Sequence, residues 1–384
     1  MMKKIRYGMV GGGTGSFIGS IHRAAAALDG CYELVCGAFS SDRERGLESA
    51  AALGLPAARS YPDYVAMLAA EAVLPADQRM ELVVIVTPNH LHVPVSMAAL
   101  RAGYHVVCDK PAAMTLAEVR ALADVVRDSN RLYALTYTYA GYPMVEEARV
   151  RIARGDLGTI RRIDVRYRQG WLSDPIEKDG HRQAGWRTDP AYSGLSCCLG
   201  DIGVHAFHLA EHVTGMQVQA LSADLATHVA GRRLDDDAGI LLRFANGARG
   251  TLVASQICCG EENDVSIHVY GDRGGLSWSQ NDNESLMLKW PNRPQEIVRM
   301  GGPGSSPQAL ARCRLPAGHH NGYIEAFANH YRAVAGALAQ QAISVPVGEI
   351  NWFPGIEAGV RSLAFIETAL ANSNGNQKWS EIES

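Results

Sequence analysis

The sequence has no Cys-x-x-Cys pair, no internal repeat, no block of like charge and no apolar run near the ~18 residues of a membrane span. Each absence removes a class. Its 36 Lys and Arg against 40 Asp and Glu give a formal net charge of −4, with both signs interspersed. That balance lacks the clustered positive field that nucleic acid or an anionic membrane requires, so neither is expected as a partner. The eight cysteines, Cys31, Cys36, Cys108, Cys197, Cys198, Cys258, Cys259 and Cys313, include two adjacent pairs but no metal or redox spacing. They read as reduced small hydrophobes in a cytoplasmic protein. After Met1, Met2, Lys3 and Lys4, Gly8 and Gly11 to Gly13 interrupt any signal-type apolar region. What the chain does have is length and glycine. Its 384 residues, 47% hydrophobic, suffice for two domains with their own cores. Its 39 glycines make about a tenth of the chain against a usual ~7%, an excess that has to be located.

Up to about residue 138, short apolar runs alternate with amphipathic segments. Ile5 to Val10, Tyr32 to Phe39, Leu82 to Val86, His105 to Cys108 and Leu132 to Tyr137 read as strands, apolar at nearly every position and therefore buried on both faces. Phe17 to Leu28, Ser41 to Leu53, Val93 to Ala102 and Thr115 to Asp128 read as helices, the last opening on a Thr115/Glu118 capping box. This alternation predicts an α/β dinucleotide-binding Rossmann domain over residues 1–138, built on a doubly wound parallel sheet.

Beyond it the period changes. A helix over Met144 to Arg154 precedes period-two runs at Ile160 to Gln169, Ala238 to Phe244, Arg249 to Gln256 and Val265 to Gly271. In the first, Ile163, Val165 and Tyr167 alternate with Arg162, Asp164, Arg166 and Arg168. One face is apolar, and the other is charged and open either to solvent or to another subunit. Asn246-Gly247 between two such runs signals a two-residue hairpin. Residues 139–384 are thus expected to form a substrate-binding and oligomerisation α+β domain on a large, mainly antiparallel open sheet. A final helix over about 356–372, apolar at Ile356, Val360, Leu363 and Leu370, is expected to pack back on the body of the protein.

The first strand runs into Gly11-Gly12-Gly13-Thr14-Gly15-Ser16-Phe17-Ile18-Gly19 and then a helix. Glycines there permit a tight turn and close backbone approach to a pyrophosphate at the helix start, so Gly11, Gly13, Thr14, Gly15, Ser16, Phe17 and Ile18 are candidate cofactor contacts. The spacing departs from G-x-G-x-x-G: either Ser16 stands where the third glycine belongs, or the loop is longer and Gly19 serves. At the end of the second strand, where a carboxylate would mark NAD, stand Ser40 and Ser41, then Asp42 and Arg43. Arg43 suits a 2′-phosphate and Asp42 suits either a ribose or a helix start, so NAD and NADP both remain open.

With these residues in view the chain resembles the Gfo/Idh/MocA family of NAD(P)-dependent oxidoreductases over nearly its whole length. The markers come in order: the glycine loop ending Ile18-Gly19-Ser20-Ile21-His22, then Thr87-Pro88-Asn89-His90-Leu91-His92, Asp109-Lys110-Pro111, Trp186-Arg187 and Asp201-Ile202-Gly203-Val204-His205. The resemblance implies cofactor contacts from Thr87, Pro88, Asn89, His92, Asp109, Lys110, Trp186 and Arg187. It implies that Lys110 points beside the nicotinamide, with Asp109 where the family usually has glutamate. It assigns His205 as general base, Asp201 as substrate ligand and partner of the base, and Lys110 as the group that orients the reacting hydroxyl and stabilises alkoxide charge. Contacts through the open sheet would give a homodimer or homotetramer.

The residue chemistry is compatible. Histidine takes a hydroxyl proton near neutral pH, and a carboxylate holds a neighbouring hydroxyl, as a sugar or polyol would need. Tyr139, Trp171 and His319 are further candidate substrate contacts, since rings pack on sugar faces. His208 and His212 continue the histidine face at i+3 and i+7, but zinc needs three or four converging ligands, and no metal is expected. The expectation is an NAD(P)-dependent dehydrogenase acting on a secondary hydroxyl of a sugar, inositol or related polyol. A redox-assisted glycoside-cleaving enzyme and a non-catalytic cofactor-binding sensor are its rivals.

Overall fold

The computed structural model describes residues 4–342 and 352–383, so Met1 to Lys3 of the N-terminal reading lie outside the described residues. Strands are β1 Ile5–Gly11, β2 Tyr32–Ala38, β3 Leu82–Val86, β4 His105–Cys108, β5 Tyr133–Leu135, β6 Ile160–Arg168 and β7 Val218–Ala226. They continue with β8 Asp237–Phe244, β9 Arg249–Ser255, β10 Asp264–Gly271, β11 Gly275–Ser279, β12 Asp282–Lys289, β13 Glu296–Arg299 and β14 Ser380–Glu381. Helices are α1 Phe17–Leu28, α2 Arg43–Ala52, α3 Tyr64–Ala72, α4 His92–Arg101, α5 Leu116–Ser129 and α6 Pro143–Ala153. The later ones are α7 Arg182–Arg187, α8 Pro190–Ser193, α9 Val204–Thr214, α10 Pro307–Leu310, α11 Tyr323–Ala342 and α12 Ile356–Ser373.

The chain divides into two units, residues 1–136 with 323–360 and residues 137–322 with 361–384. The change of period in the sequence puts 323–360 in the second domain. The structure groups it with the first, because Phe327, Ala328, Tyr331 and Val334 of α11 are buried in one core cluster with Tyr7, Met9, Ala25, Ala26 and Tyr32. The later division, at 360/361, falls inside α12.

In the first unit five parallel strands follow the order β2-β1-β3-β4-β5. All five residues of β3 are buried, as expected of a strand covered on both faces. The capping box forms: Thr115 accepts from Glu118 N, and the Glu118 side chain reaches back to the cap. Two helices of this unit have no counterpart in the sequence reading, α3 and α11. In β4, His105 accepts the Leu132 backbone N–H at Nδ1 (3.0 Å), which needs the neutral ring. Burial, with the positive charge of Arg131, lowers its pKa to about 4.

Because that pKa lies below the unfolded value of about 6.5, the contribution of His105 to stability is complete above pH 6.5. It is lost as the pH falls toward 4. The expected loss is up to about 3 kcal/mol before solvent screening. The substitution His105→Asn, which supplies an amide oxygen in place of Nδ1, is expected to remove this part of the acid destabilisation. Urea midpoints of the parent and the His105→Asn protein at neutral pH and near pH 4.5 measure it.

In the second unit nine strands follow the order β13-β12-β11-β10-β6-β9-β8-β7-β14. Every pairing is antiparallel except β6 with β9. Ile163, Val165, Ile240, Leu242, Leu252, Ile267 and Val269 are buried, while the other face carries cross-strand ion pairs such as Arg166 and Arg168 with Asp264. Asn246-Gly247 turns β8 into β9, Gly247 adopting φ +88°.

Candidate active site

The glycine loop is longer than G-x-G-x-x-G, and the packing identifies its third glycine. Gly11, Gly12 and Gly15 have φ of +80°, +71° and +83°, the left-handed region that glycine adopts without penalty. A Cβ on Gly19 would lie 2.4 Å from Gly12 Cα, so the first turn of α1 and the loop touch backbone to backbone. Ser16 serves the helix instead, as the N-cap of α1 that accepts from Gly19 N. Thr14 N donates to Ser49 Oγ of α2 (3.0 Å), which ties down the exposed tip. A Cβ on Gly15 would meet nothing within 4 Å, and Phe17 beside it is 65% exposed.

At the end of β2, Asp42 is the N-cap of α2 and accepts from Arg45 N (2.9 Å). Its carboxylate serves the helix start, which leaves Ser40, Ser41 and Arg43 as the other groups at the ribose end of the strand.

The lysine segment follows β4, with a cis bond at Lys110–Pro111. Asp109 accepts from Thr136 Oγ1 at 2.7 Å and faces His22 Nε2 at 4.0 Å. Burial opposes ionisation of Asp109, but His22, Lys110 and Thr136 together hold its carboxyl well below the usual range. His22 Nδ1 lies 2.7 Å from the Tyr331 hydroxyl, so α1, the lysine segment and α11 share one polar chain. Thr87, at the end of β3, has its Oγ1 buried with no hydrogen-bond partner among the described residues. An open glycine cradle at a helix start and an unsatisfied buried hydroxyl nearby in the chain order of a Rossmann sheet fit a bound dinucleotide.

In the second unit Asp201 lies in a π-helical turn, residues 199–203, that runs into α9. Such turns recur at functional sites. Asp201 Oδ2 accepts from Gln256 Nε2 (2.9 Å) and Arg187 Nε (3.3 Å). The Arg187 guanidinium also lies over the Trp186 ring at 4.2 Å and 5.9 Å from that of Trp171. His205 is buried in the first turn of α9, edge-on to Tyr137 (5.7 Å) and Tyr139 (5.1 Å) and tilted to Tyr167 (6.1 Å). The Tyr139 and Tyr167 hydroxyls are 2.6 Å apart, and Asn263 bonds both. Gln169 donates to Asn263 and accepts from Trp171 Nε1, so a polar network runs from Trp171 to the rings around His205.

A profile described as an oxidoreductase family with an NAD-binding Rossmann fold matches residues 5–137, and one described as the GFO/IDH/MocA C-terminal domain matches residues 145–277. The chain belongs to the GFO/IDH/MocA oxidoreductase family. An uncharacterized oxidoreductase of Bacillus subtilis is 33% identical over 99% of this chain and 98% of its own. A levoglucosan dehydrogenase of Pseudarthrobacter phenanthrenivorans is 28% identical over 75% of this chain and 76% of its own. A crystal structure of an inositol dehydrogenase homolog from Azotobacter vinelandii, complexed with NAD+, superposes with a TM-score of 0.94 at 35% identity. It covers 99% of this chain and 98% of the other.

As a GFO/IDH/MocA oxidoreductase, the chain pairs an NAD-binding Rossmann unit with a second unit on a large sheet. Among the sequence candidates, the fold brings together Tyr139 with His205, and Trp171, Trp186 and Arg187 with Asp201. His319 is an exposed turn residue whose Nδ1 lies 3.1 Å from the Pro316 carbonyl. His92 is buried, with both ring nitrogens against backbone carbonyls. His208 stacks on Tyr137 at 4.2 Å and on His212 at 5.7 Å. Among the described residues no three His, Cys, Asp or Glu side chains converge as a metal set, and no helix is long and apolar enough to cross a membrane. Sequence reasoning missed Gln256, Gln169 and Asn263. Gln256 and Gln169 each close a period-two run, a polar residue where a strand ends, and this was the available signal.

Proposed function

We propose that this oxidoreductase removes hydride from a secondary hydroxyl of a sugar, inositol or related polyol. The observation that carries the reading is the surroundings of His205, a buried imidazole walled by Tyr137, Tyr139 and Tyr167, the last two with hydroxyls joined in one polar network with Asn263. Rings of that kind pack against sugar faces while the network's donors and acceptors meet hydroxyls. The inositol dehydrogenase homolog has also been crystallised with NADH and myo-inositol, and a levoglucosan dehydrogenase is among the relatives, which agrees with a polyhydroxylated substrate.

Bound nicotinamide supplies the hydride acceptor. His205 takes the hydroxyl proton on a ring nitrogen, and Asp201, held by Gln256 and Arg187, accepts a hydrogen bond from an adjacent hydroxyl. Lys110 stabilises negative charge on the alkoxide oxygen. A screen of inositols, sugars and glycosides with NAD and with NADP, read by the absorbance of reduced nicotinamide, tests the proposal. Lasting accumulation with a free polyol supports it. Turnover of glycosides with none would favour redox-assisted bond cleavage instead. Comparing the two cofactors tests whether Ser40, Ser41 and Arg43 accept a 2′-phosphate.

A further inference from the structure

The His92 ring lies at the start of α4 and is only 1% exposed. Its Nδ1 is 2.6 Å from the Pro111 carbonyl oxygen and its Nε2 2.9 Å from the Thr87 carbonyl oxygen. Carbonyl oxygens only accept, and a neutral imidazole has one N–H. Both contacts are therefore hydrogen bonds only when the ring carries two protons. Turning the ring over would place carbons against both oxygens and make neither bond.

From this geometry we infer that His92 is a standing imidazolium that clamps the Thr87 and Lys110–Pro111 segments together, a positioning residue on the cofactor side of the reaction. Thr87 opens the Thr87-Pro88-Asn89 turn and Pro111 follows Lys110 directly, so one cation fixes the backbone from which the Thr87 hydroxyl and the Lys110 amine both project. The clamp explains why a buried histidine with no ring nitrogen left over belongs in this segment: it shapes the cofactor side without touching the cofactor.

The titratable groups facing the ring are Cys108 and Asp109 from the end of β4 and His90 from the 89–91 turn. Burial favours the neutral ring, but the Cys108 sulfur, the Pro111 carbonyl and the Asp109 carboxylate outweigh it and bring the pKa of His92 up to about 9. His90 responds in the opposite sense, lowered by burial and by the His92 charge. The positive end of the α4 dipole also disfavours a cation, so the two short charge-assisted bonds have to exceed that cost.

The inference rests on the cofactor-binding unit and not on the identity of the polyol, and its test needs no substrate. In the full chain labelled with isotopic histidine, through-bond correlation to the backbone assigns the His92 ring without any variant. Two protonated ring nitrogens are expected at about pH 8, above the ordinary histidine range. NADH affinity, read by fluorescence, is expected to fall as the pH rises through the midpoint at which His92 loses its second proton. His92→Gln, an uncharged amide in place of the cation, is expected to bind NADH about tenfold more weakly, with that alkaline step absent. A neutral His92 ring at pH 8 overturns the inference. So does an NADH affinity in the parent that is flat across the His92 titration, which decides the matter even if the glutamine variant does not fold.

Discussion

A His205→Asn enzyme is expected to turn over its polyol about 10²–10⁴-fold more slowly than the parent while binding NADH within about twofold of it, the range a positioned general base contributes. Asparagine keeps a polar group among the tyrosine rings but has no nitrogen that accepts a proton near neutral pH. The loss should fall on kcat more than on KM, because the base acts on the proton in flight and not on the ground-state hydroxyl. Lys110→Met is expected to lose activity in the same range if Lys110 is the proposed stabiliser of alkoxide charge. Initial rates with the substrate found by screening, alongside NADH titration and thermal melting, separate chemistry from folding. A His205→Asn enzyme within tenfold of parental kcat would remove His205 from the role of base.

The second large effect belongs to the glycine loop. Gly19→Ala places a Cβ 2.4 Å from Gly12 Cα and 2.8 Å from Gly12 O, where nothing flexible can yield. Overpacking of this kind costs about 1–3 kcal/mol. Taken out of the cofactor-competent loop conformation, that is a roughly 5- to 150-fold loss of NADH affinity. Gly46→Ala in α2 is the control, since its new Cβ would have no contact closer than 3.9 Å. That variant should keep parental affinity and gain roughly 0.5–1 kcal/mol of stability from reduced chain entropy. Fluorescence titration and urea unfolding of both proteins measure the contrast. Equal NADH affinity in the Gly19→Ala protein and the parent would place the third glycine of the motif elsewhere.

How much of this was legible beforehand depends on whether a feature is local. The strands of the Rossmann sheet are, because a strand buried on both faces must be apolar throughout, as β3 is. The Thr115/Glu118 box and the Asn246-Gly247 hairpin are equally local and stand where the residues put them. The helix α3 was missed because Tyr64 to Ala72 is mostly alanine and apolar, with no clear periodic stripe. The helix α11 shows Phe327, Tyr331, Val334 and Leu338 at helical spacing, a buried stripe in its own right. Nothing in that stripe says which of two domains it will cover.

The site follows the same division. The order of the motifs names Lys110, Asp201 and His205 through a family resemblance, but not what holds them. Gln256 lies 55 residues from the Asp201 it bonds, and Asn263 lies 124 from Tyr139. Such partners are set by sheet order, in which β6 stands between β10 and β9. The glycine spacing left Ser16 and Gly19 as alternatives, and only the approach of Gly12 to Gly19 decides for Gly19. Asp42 posed a similar ambiguity, and its Oδ1 takes the helix-start role by accepting from Arg45 N.

Tyr331 receives the Tyr32 hydroxyl on its backbone carbonyl and sets its own hydroxyl against His22, so the first unit takes part of its core from a stretch made late in synthesis. On a ribosome adding ~5–20 residues per second, the parallel sheet would emerge on the order of 10–40 s before the helix that covers it. Through that interval Tyr7, Met9 and Tyr32 lack their later neighbours. The cofactor domain therefore reaches its final form only after most of the second unit has been made.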